Sequence, residues 1–271
     1  MPELPEAEYM VRRLRESPGA GLRIHTAHTP DPQLAALLPG RTITGYSRRA
    51  KNVLVELSGD YVLRVQLGMT GHFYFWPDPT ALPRFTRAHF TLQQGRRNKG
   101  CLVFEDARTF GSLEIHPKQN LPSVFSAYGL EPLDPAFTWQ ALRETAARSQ
   151  APLKPFLLDQ SRIAGLGNIW AAEALFAARL SPFRRVSTLS PAEWKRLHAA
   201  IRQVLSDAIE GTFAVTSKPE EFPDADLLSC RVYGRPGQPC LRCARDLILR
   251  PLIVREVQAG RSTFFCPKCQ K

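Results

Sequence analysis

The chain has 271 residues, 44% of them hydrophobic, and 36 Lys and Arg stand against 25 Asp and Glu for a formal net charge of +11. That length suits two domains rather than one core, and so basic a balance points to a polyanionic partner, with a merely solubilising charge as the bland alternative. No apolar stretch reaches the roughly 20 residues of a membrane helix, and the N-terminus lacks a signal-peptide pattern, so a cytoplasmic protein is expected.

Residues 4–17 predict a helix, with Leu4, Met10, Val11 and Leu14 on one face and Arg12, Arg13 and Arg15 towards solvent. Pro18–Gly21 ends it. From about 41 to 116 the chain turns to short apolar runs: Val53–Val55, Tyr61–Leu67, Phe73–Trp76, His89–Leu92, Cys101–Phe104 and Ser112–Ile115. Turn residues separate them, which predicts an antiparallel β-sandwich or barrel. Gly129–Pro135 reads as a linker. Beyond it, Trp139–Arg148 and Asn168–Ala178 read as helices. Ser190, Pro191 and Glu193 form a capping box, and the helix they start is expected to run to Ile209 and stop at Gly211. Residues 212–229 read as a mobile loop. The fold class is therefore α+β with two domains. Region 1–132 is a β-sandwich flanked by helices, 133–229 is helical, and 230–271 is a metal-binding hairpin.

That hairpin rests on Cys240, Cys243, Cys266 and Cys269, two C-x2-C pairs separated by 22 residues. Four thiolates fill a tetrahedral Zn2+ shell and leave no position for a substrate, so one structural zinc is expected. Leu247–Val254 and Ser262–Phe265 read as the two strands, with Arg261 on the turn between them. Cys101 and Cys230 read as buried apolar cysteines.

The opening Met1-Pro2-Glu3-Leu4-Pro5-Glu6 admits two readings. Loss of Met1 leaves a secondary amine at Pro2, and an α-amino group with pKa about 7.7–8.0 is partly neutral and nucleophilic near pH 7. Glu3 and Glu6 beside it could move protons. Equally, Pro and Glu are ordinary residues at a helix start.

This opening resembles that of the formamidopyrimidine-DNA glycosylase/endonuclease VIII family, and Leu4 resembles the formamidopyrimidine branch. Further blocks follow in the family's order. Arg48–Lys51 resembles the segment with a strand-borne catalytic lysine. Leu67–Gly71 and Asp106–Gly111 resemble two void-filling loops, Gly165–Ile169 the turn of a helix–two-turn–helix motif, and Val232–Arg235 the approach to the zinc finger. The resemblance spans the whole chain and implies a base excision repair enzyme. Such an enzyme flips a damaged nucleotide out of duplex DNA, removes the base and cuts the strand as an abasic-site lyase, acting here as a monomer. It implies Pro2 as nucleophile, Glu3 and Glu6 as proton-handling and supporting carboxylates, and Lys51 at the flanking phosphate. It implies Met69, Arg108 and Phe110 as void-filling residues and Lys154, Asn168 and Arg261 as phosphate contacts. His89 is a DNA contact or a satisfied strand histidine.

Three departures bear on which base is removed. Gln66 stands where the family often has His, Thr109 replaces a second arginine, and 212–229 lacks the glycine and threonine features of the base-capping loop. The oxidised or ring-opened base stays undefined. The competing function is a binder of damaged or bent DNA with no chemistry.

Overall fold

A computed structural model describes residues 2–216, 230–243 and 250–271. They form two compact units, one running to Ser126 and including Thr212–Thr216, the other beginning at Ala127, running to Gly211 and resuming at Cys230.

The first unit opens with α1 (Leu4–Glu16) and continues through β1 (Arg23–His28), α2 (Pro32–Leu37), β2 (Ile43–Arg49), β3 (Asn52–Leu57), β4 (Tyr61–Gln66), β5 (Gly71–Trp76), β6 (Thr86–Gln94), β7 (Arg97–Asp106), β8 (Ser112–Pro117) and the short α3 (Leu121–Val124). The strands make two four-stranded antiparallel sheets, β1-β6-β7-β5 and β2-β3-β4-β8. Alternate residues of both face one core, where Val53, Val55, Leu63 and Val65 meet Phe73, Phe90, Leu102 and Phe104. The apolar stripe of α1, Ala7, Met10, Val11 and Leu14, is buried in that same core. Burial of this stripe fixes the helix, and with it the position of Pro2 and Glu3.

The second unit contains α4 (Trp139–Thr145), α5 (Leu153–Leu158), α6 (Asn168–Ala178), most of α7 (Pro191–Val215), and the hairpin β9 (Val254–Gln258) and β10 (Arg261–Phe265). A small core of Ala172, Phe176, Val232, Ile253 and Phe264, with Cys240 and Cys266, joins α6 to the metal-binding segment. Glu173 strengthens that joint from inside α6, accepting backbone N–H bonds from Arg231, Val232 and Tyr233 at 2.8–2.9 Å.

Several expectations are corrected. Gly211 does not stop α7, which continues to Val215. A helical glycine costs only about 1 kcal/mol. The extra turn places Phe213 edge-on to Tyr9, and the Tyr9 hydroxyl donates to Thr216 at 2.9 Å. The two units divide at Ser126–Ala127, just before the expected linker Gly129–Pro135, and the start of that segment is tied down by hydrogen bonds. Gly129 and Leu130 donate to the carbonyls of Gln160 and Arg162, and Ala164 donates back to Leu130. In the hairpin the first strand is Val254–Gln258, and Arg261 opens the second, paired with Gln258. Residues 217–229 and 247–249 lie outside the described residues.

Candidate active site and nucleic-acid interface

Glu3 is the N-cap of α1 and is buried. Its backbone N–H donates to the Glu6 carboxylate at 2.8 Å, while its own carboxylate accepts from the Glu6 backbone, a reciprocal capping box. Both carboxylates are thereby held at the first turn, directly after Pro2, which is itself buried. The helix that carries them presents its positive dipole end there.

Lys51 is not inside a strand, as its sequence context suggests. Arg49 pairs with Asn52, so Ala50 and Lys51 are the two-residue turn of the β2–β3 hairpin. Ala50 adopts a left-handed φ of 54°. Hydrogen bonds from neighbouring side chains brace this turn. The Asn52 side chain donates to the Arg49 carbonyl at 3.0 Å. Arg64 braces Asn52 from β4, also at 3.0 Å. Arg48 donates to the Ala50 carbonyl at 2.9 Å and to Glu8 of α1 at 2.9 Å. The lysine turn and the helix bearing Glu3 and Glu6 are thus joined through Ala50, Arg48 and Glu8. Burial alone would raise the Glu8 pKa, but the guanidinium groups of Arg48 and Arg12 outweigh it and hold the carboxyl below its ordinary value.

Met69 and Phe110 project from neighbouring loops and are 37% and 58% exposed. The loops are in intimate contact: a Cβ on Gly68 (φ +62°) would meet the Gly111 nitrogen at 2.6 Å. Asp106 ties them together. It accepts from the Thr70 hydroxyl at 2.5 Å, the Gly111 N–H at 2.8 Å and the Arg108 N–H at 3.3 Å. Burial raises the Asp106 pKa, but these hydrogen bonds prevail and set it below the usual carboxylate range. The Arg108 guanidinium sits 5.1 Å from the centre of the exposed Phe110 ring, so a cation and an aromatic face leave the protein together. His89, on β6, stacks on His28 of β1 with ring centroids 4.3 Å apart and planes 12° apart. Burial and the neighbouring His28 lower its pKa.

In the second unit, Lys154 and Asn168 converge on the hairpin residue that follows Arg261. The Lys154 ammonium donates to the Ser262 carbonyl at 2.8 Å and the Thr263 hydroxyl at 2.9 Å, and the Asn168 amide donates to the same Ser262 carbonyl at 3.1 Å. Arg261 precedes Ser262 and is exposed. Lys154 is only 1% exposed, so its charge serves the hairpin before any external anion. Asn168 is the first residue of α6, and its side-chain carbonyl oxygen is buried without a partner among the described residues.

The sulfurs of Cys240, Cys243, Cys266 and Cys269 all lie within 4.8 Å of one another. Cys240 and Cys269 are 3.9 Å apart, close to the edge of about 3.8 Å that Zn–S bonds of about 2.3 Å give a tetrahedron. Burial opposes ionisation of Cys240, yet N–H groups of Cys243 and Arg242 pull its pKa below the ordinary thiol value. Donor type and spacing fit one structural zinc.

Comparison with known proteins follows the same division. Residues 1–113 match the formamidopyrimidine-DNA glycosylase N-terminal domain, 128–218 its H2TH domain, and 252–271 a zinc finger found in FPG and IleRS. The formamidopyrimidine-DNA glycosylase of Chloroflexus aurantiacus is 38% identical over 289 residues, covering 100% of this chain and 98% of its own. The chain belongs to the formamidopyrimidine-DNA glycosylase family. Among solved structures, the Thermus thermophilus family member superposes with a TM-score of 0.82 at 38% identity, covering 99% of this chain and 98% of that one. The wild-type Lactococcus lactis member, bound to DNA containing N7-benzyl-Fapy-dG, gives 0.87 at 30% identity with 100% of both chains covered.

The family motifs lead to Pro2, Glu3, Glu6, Lys51, Met69, Arg108 and Phe110, but not to the residues that hold them. Arg48 opens the Arg48–Lys51 block without its bracing role being visible there, and Glu8 has no motif of its own. The only sequence trace of Glu8 is its spacing four residues before Arg12, with which it also pairs at 3.1 Å. Asp106 stands at the start of a recognised loop, yet its three-way acceptance is visible only once the loops are folded.

Proposed function

We propose that this protein is a bifunctional DNA glycosylase and abasic-site lyase of base excision repair, acting on duplex DNA in the cytoplasm. The observation that carries the assignment of roles is the joined pair of Glu3–Glu6 at the head of α1 and the Lys51 turn, linked by Glu8 and Arg48. The capping box alone would serve any helix start; the N-terminal amine beside it and the Lys51 turn joined to the same helix favour an enzyme over a protein that only binds DNA.

With Met1 removed, the Pro2 nitrogen attacks the anomeric carbon of the flipped nucleotide. The bond to the damaged base breaks, and that base leaves with its electron pair and a proton. Glu3 delivers a proton to the ring oxygen as the sugar opens, giving an iminium between Pro2 and C1′. Loss of a proton from C2′ then expels the 3′ phosphate by β-elimination, and water returns the amine. Lys51 holds the flanking phosphate and Glu6 holds Glu3. Met69, Arg108 and Phe110 fill the space left by the extruded nucleotide, where unstacking costs a few kcal/mol. Asn168 and Arg261 hold phosphates on the second unit, while Lys154 keeps β10 in place beneath them. Zinc supplies folding free energy to the hairpin and takes no part in the chemistry. The damaged base is an oxidised or ring-opened one, as the family's name suggests.

Glu3→Gln tests the division of labour. It should slow excision of a damaged base far more than cleavage at a preformed abasic site, because an abasic sugar already samples the open aldehyde. Equal loss of both steps would remove Glu3 from its role at the sugar.

A further inference from the structure

One end of the sheet β1-β6-β7-β5 gathers more than the two loops already described. β7 ends at Asp106, β5 begins at Gly71 opposite it, and β6 begins at Thr86 opposite Glu105. The residue before β6, Phe85, accepts the Asp106 backbone N–H on its carbonyl at 3.0 Å. The turn Pro83–Thr86 therefore lies beside the Asp106 anchor, with the Met69 loop on the other side. Neighbouring strands are about 4.8 Å apart, so this turn stands roughly 10 Å from the Met69 loop.

The turn carries a second arginine–aromatic pair. Arg84 is exposed and its guanidinium lies 5.2 Å from the centre of the Phe85 ring, which is 44% exposed. This repeats the Arg108–Phe110 arrangement one strand away. The turn is also closed by hydrogen bonds. The Thr86 N–H donates to the Pro83 carbonyl at 3.2 Å, and the Thr86 hydroxyl donates to the same oxygen at 2.7 Å. An exposed phenylalanine held on a closed turn loses little freedom on binding, and a guanidinium resting on its face is already placed for an oxyanion.

We propose that Arg84 and Phe85 are a further DNA-binding element, in which Arg84 takes a backbone phosphate on the flank of the lesion and Phe85 packs on the adjoining deoxyribose. The ligand is duplex DNA. At about 3.4 Å per nucleotide along one strand, a separation of 10 Å places the contact roughly three nucleotides from the extruded one. This inference rests on Met69, Arg108 and Phe110 marking the lesion position.

The test is binding of the zinc-loaded full-length protein to lesion-bearing duplexes at several salt concentrations. Three duplexes are used, one with long arms on both sides and two trimmed, each on a different side, to two base pairs beyond the lesion. Arg84→Ala should flatten the slope of log K against log salt by about 0.9 on the long duplex, the effect of one phosphate contact. Phe85→Ala should weaken binding with an unchanged slope. Both effects should vanish on one of the trimmed duplexes. Arg108→Ala is run in parallel and should weaken binding on every duplex. If Arg84→Ala matches the unmodified protein while Arg108→Ala is impaired, the Arg84–Phe85 pair is an ordinary surface pair and the proposal fails alone. If neither variant is impaired, the lesion position assigned to the Arg108 loop fails with it.

Discussion

Arg48 and Glu8 form an ion pair at 2.9 Å, with side chains only 6% and 15% exposed, and the same arginine donates to the Ala50 carbonyl of the Lys51 turn. Through this pair the helix that follows the proposed nucleophile and the turn that carries the proposed phosphate-binding lysine share one support.

Glu8→Gln should therefore lower stability by about 2 kcal/mol, the size of a charge-assisted hydrogen bond. It should also slow strand cleavage at an abasic site by about tenfold, since a misplacement worth about 1.4 kcal/mol does that. Urea unfolding and single-turnover cleavage read the two effects. Because the Glu8 pKa is depressed by folding, its contribution is present above the unfolded value of about 4.3 and is lost as pH falls through the folded value. The variant should accordingly show a shallower acid limb of stability than the unmodified protein.

Asp106 has the corresponding part in the loops. Asp106→Ala leaves the Thr70 hydroxyl and the Gly111 N–H without their acceptor. Discrimination between intact and lesion-bearing duplex should fall at least fivefold, while the slope of log K against log salt stays the same, because no phosphate contact is lost. A changed salt slope would show that the loops also carry charge contacts that depend on Asp106.

The stacked His28 and His89 predict a proton uptake. In the free protein burial and His28 disfavour the charged form of His89, so the neutral ring contributes stability above the ordinary histidine pKa of about 6.5, and that contribution is lost as pH falls through the lowered value. A phosphate beside the ring would reverse the preference. Calorimetric binding to DNA at pH 6 in two buffers of different ionisation enthalpy should reveal proton uptake that His89→Gln abolishes. Uptake unchanged in that variant would leave His89 a structural strand residue.

Removal of zinc should release the hairpin and spare the first unit. Cys240 and Cys266 belong to the core shared with Phe176 and Ile253, and the Ser262 carbonyl is the common acceptor for Lys154 and Asn168. Structural zinc contributes about 10–16 kcal/mol in zinc-finger peptides, so chelation or Cys243→Ser should weaken DNA binding strongly. Near-ultraviolet spectra of the Trp76 environment should remain.

The sequence carried the site more legibly than its supports. The short apolar runs Val53–Val55 and Phe73–Trp76, set apart by turn residues, mark sandwich strands, and the spacing of the paired cysteines marks the zinc centre. Lys51 reads as a strand residue since Asn52–Leu57 is apolar, but a two-residue turn needs no glycine when Ala50 can accept a left-handed φ of 54°. Gly211 reads as a helix stop, yet distant partners in α1, Tyr9 foremost, draw α7 past it. The resemblance implies Lys154 as a phosphate contact, and its burial depends on a carbonyl and a hydroxyl more than a hundred residues away. What local pattern cannot hold is long-range pairing of this kind.

The central claim is that the Pro2 amine forms the covalent intermediate. Borohydride reduction during reaction with abasic-site duplex tests it directly, comparing protein with Met1 removed, protein with Met1 retained, and Pro2→Gly. The account predicts an adduct that is abundant in the first, with mass spectrometry placing it on Pro2, and greatly reduced in the other two. Undiminished trapping with Met1 retained would contradict it.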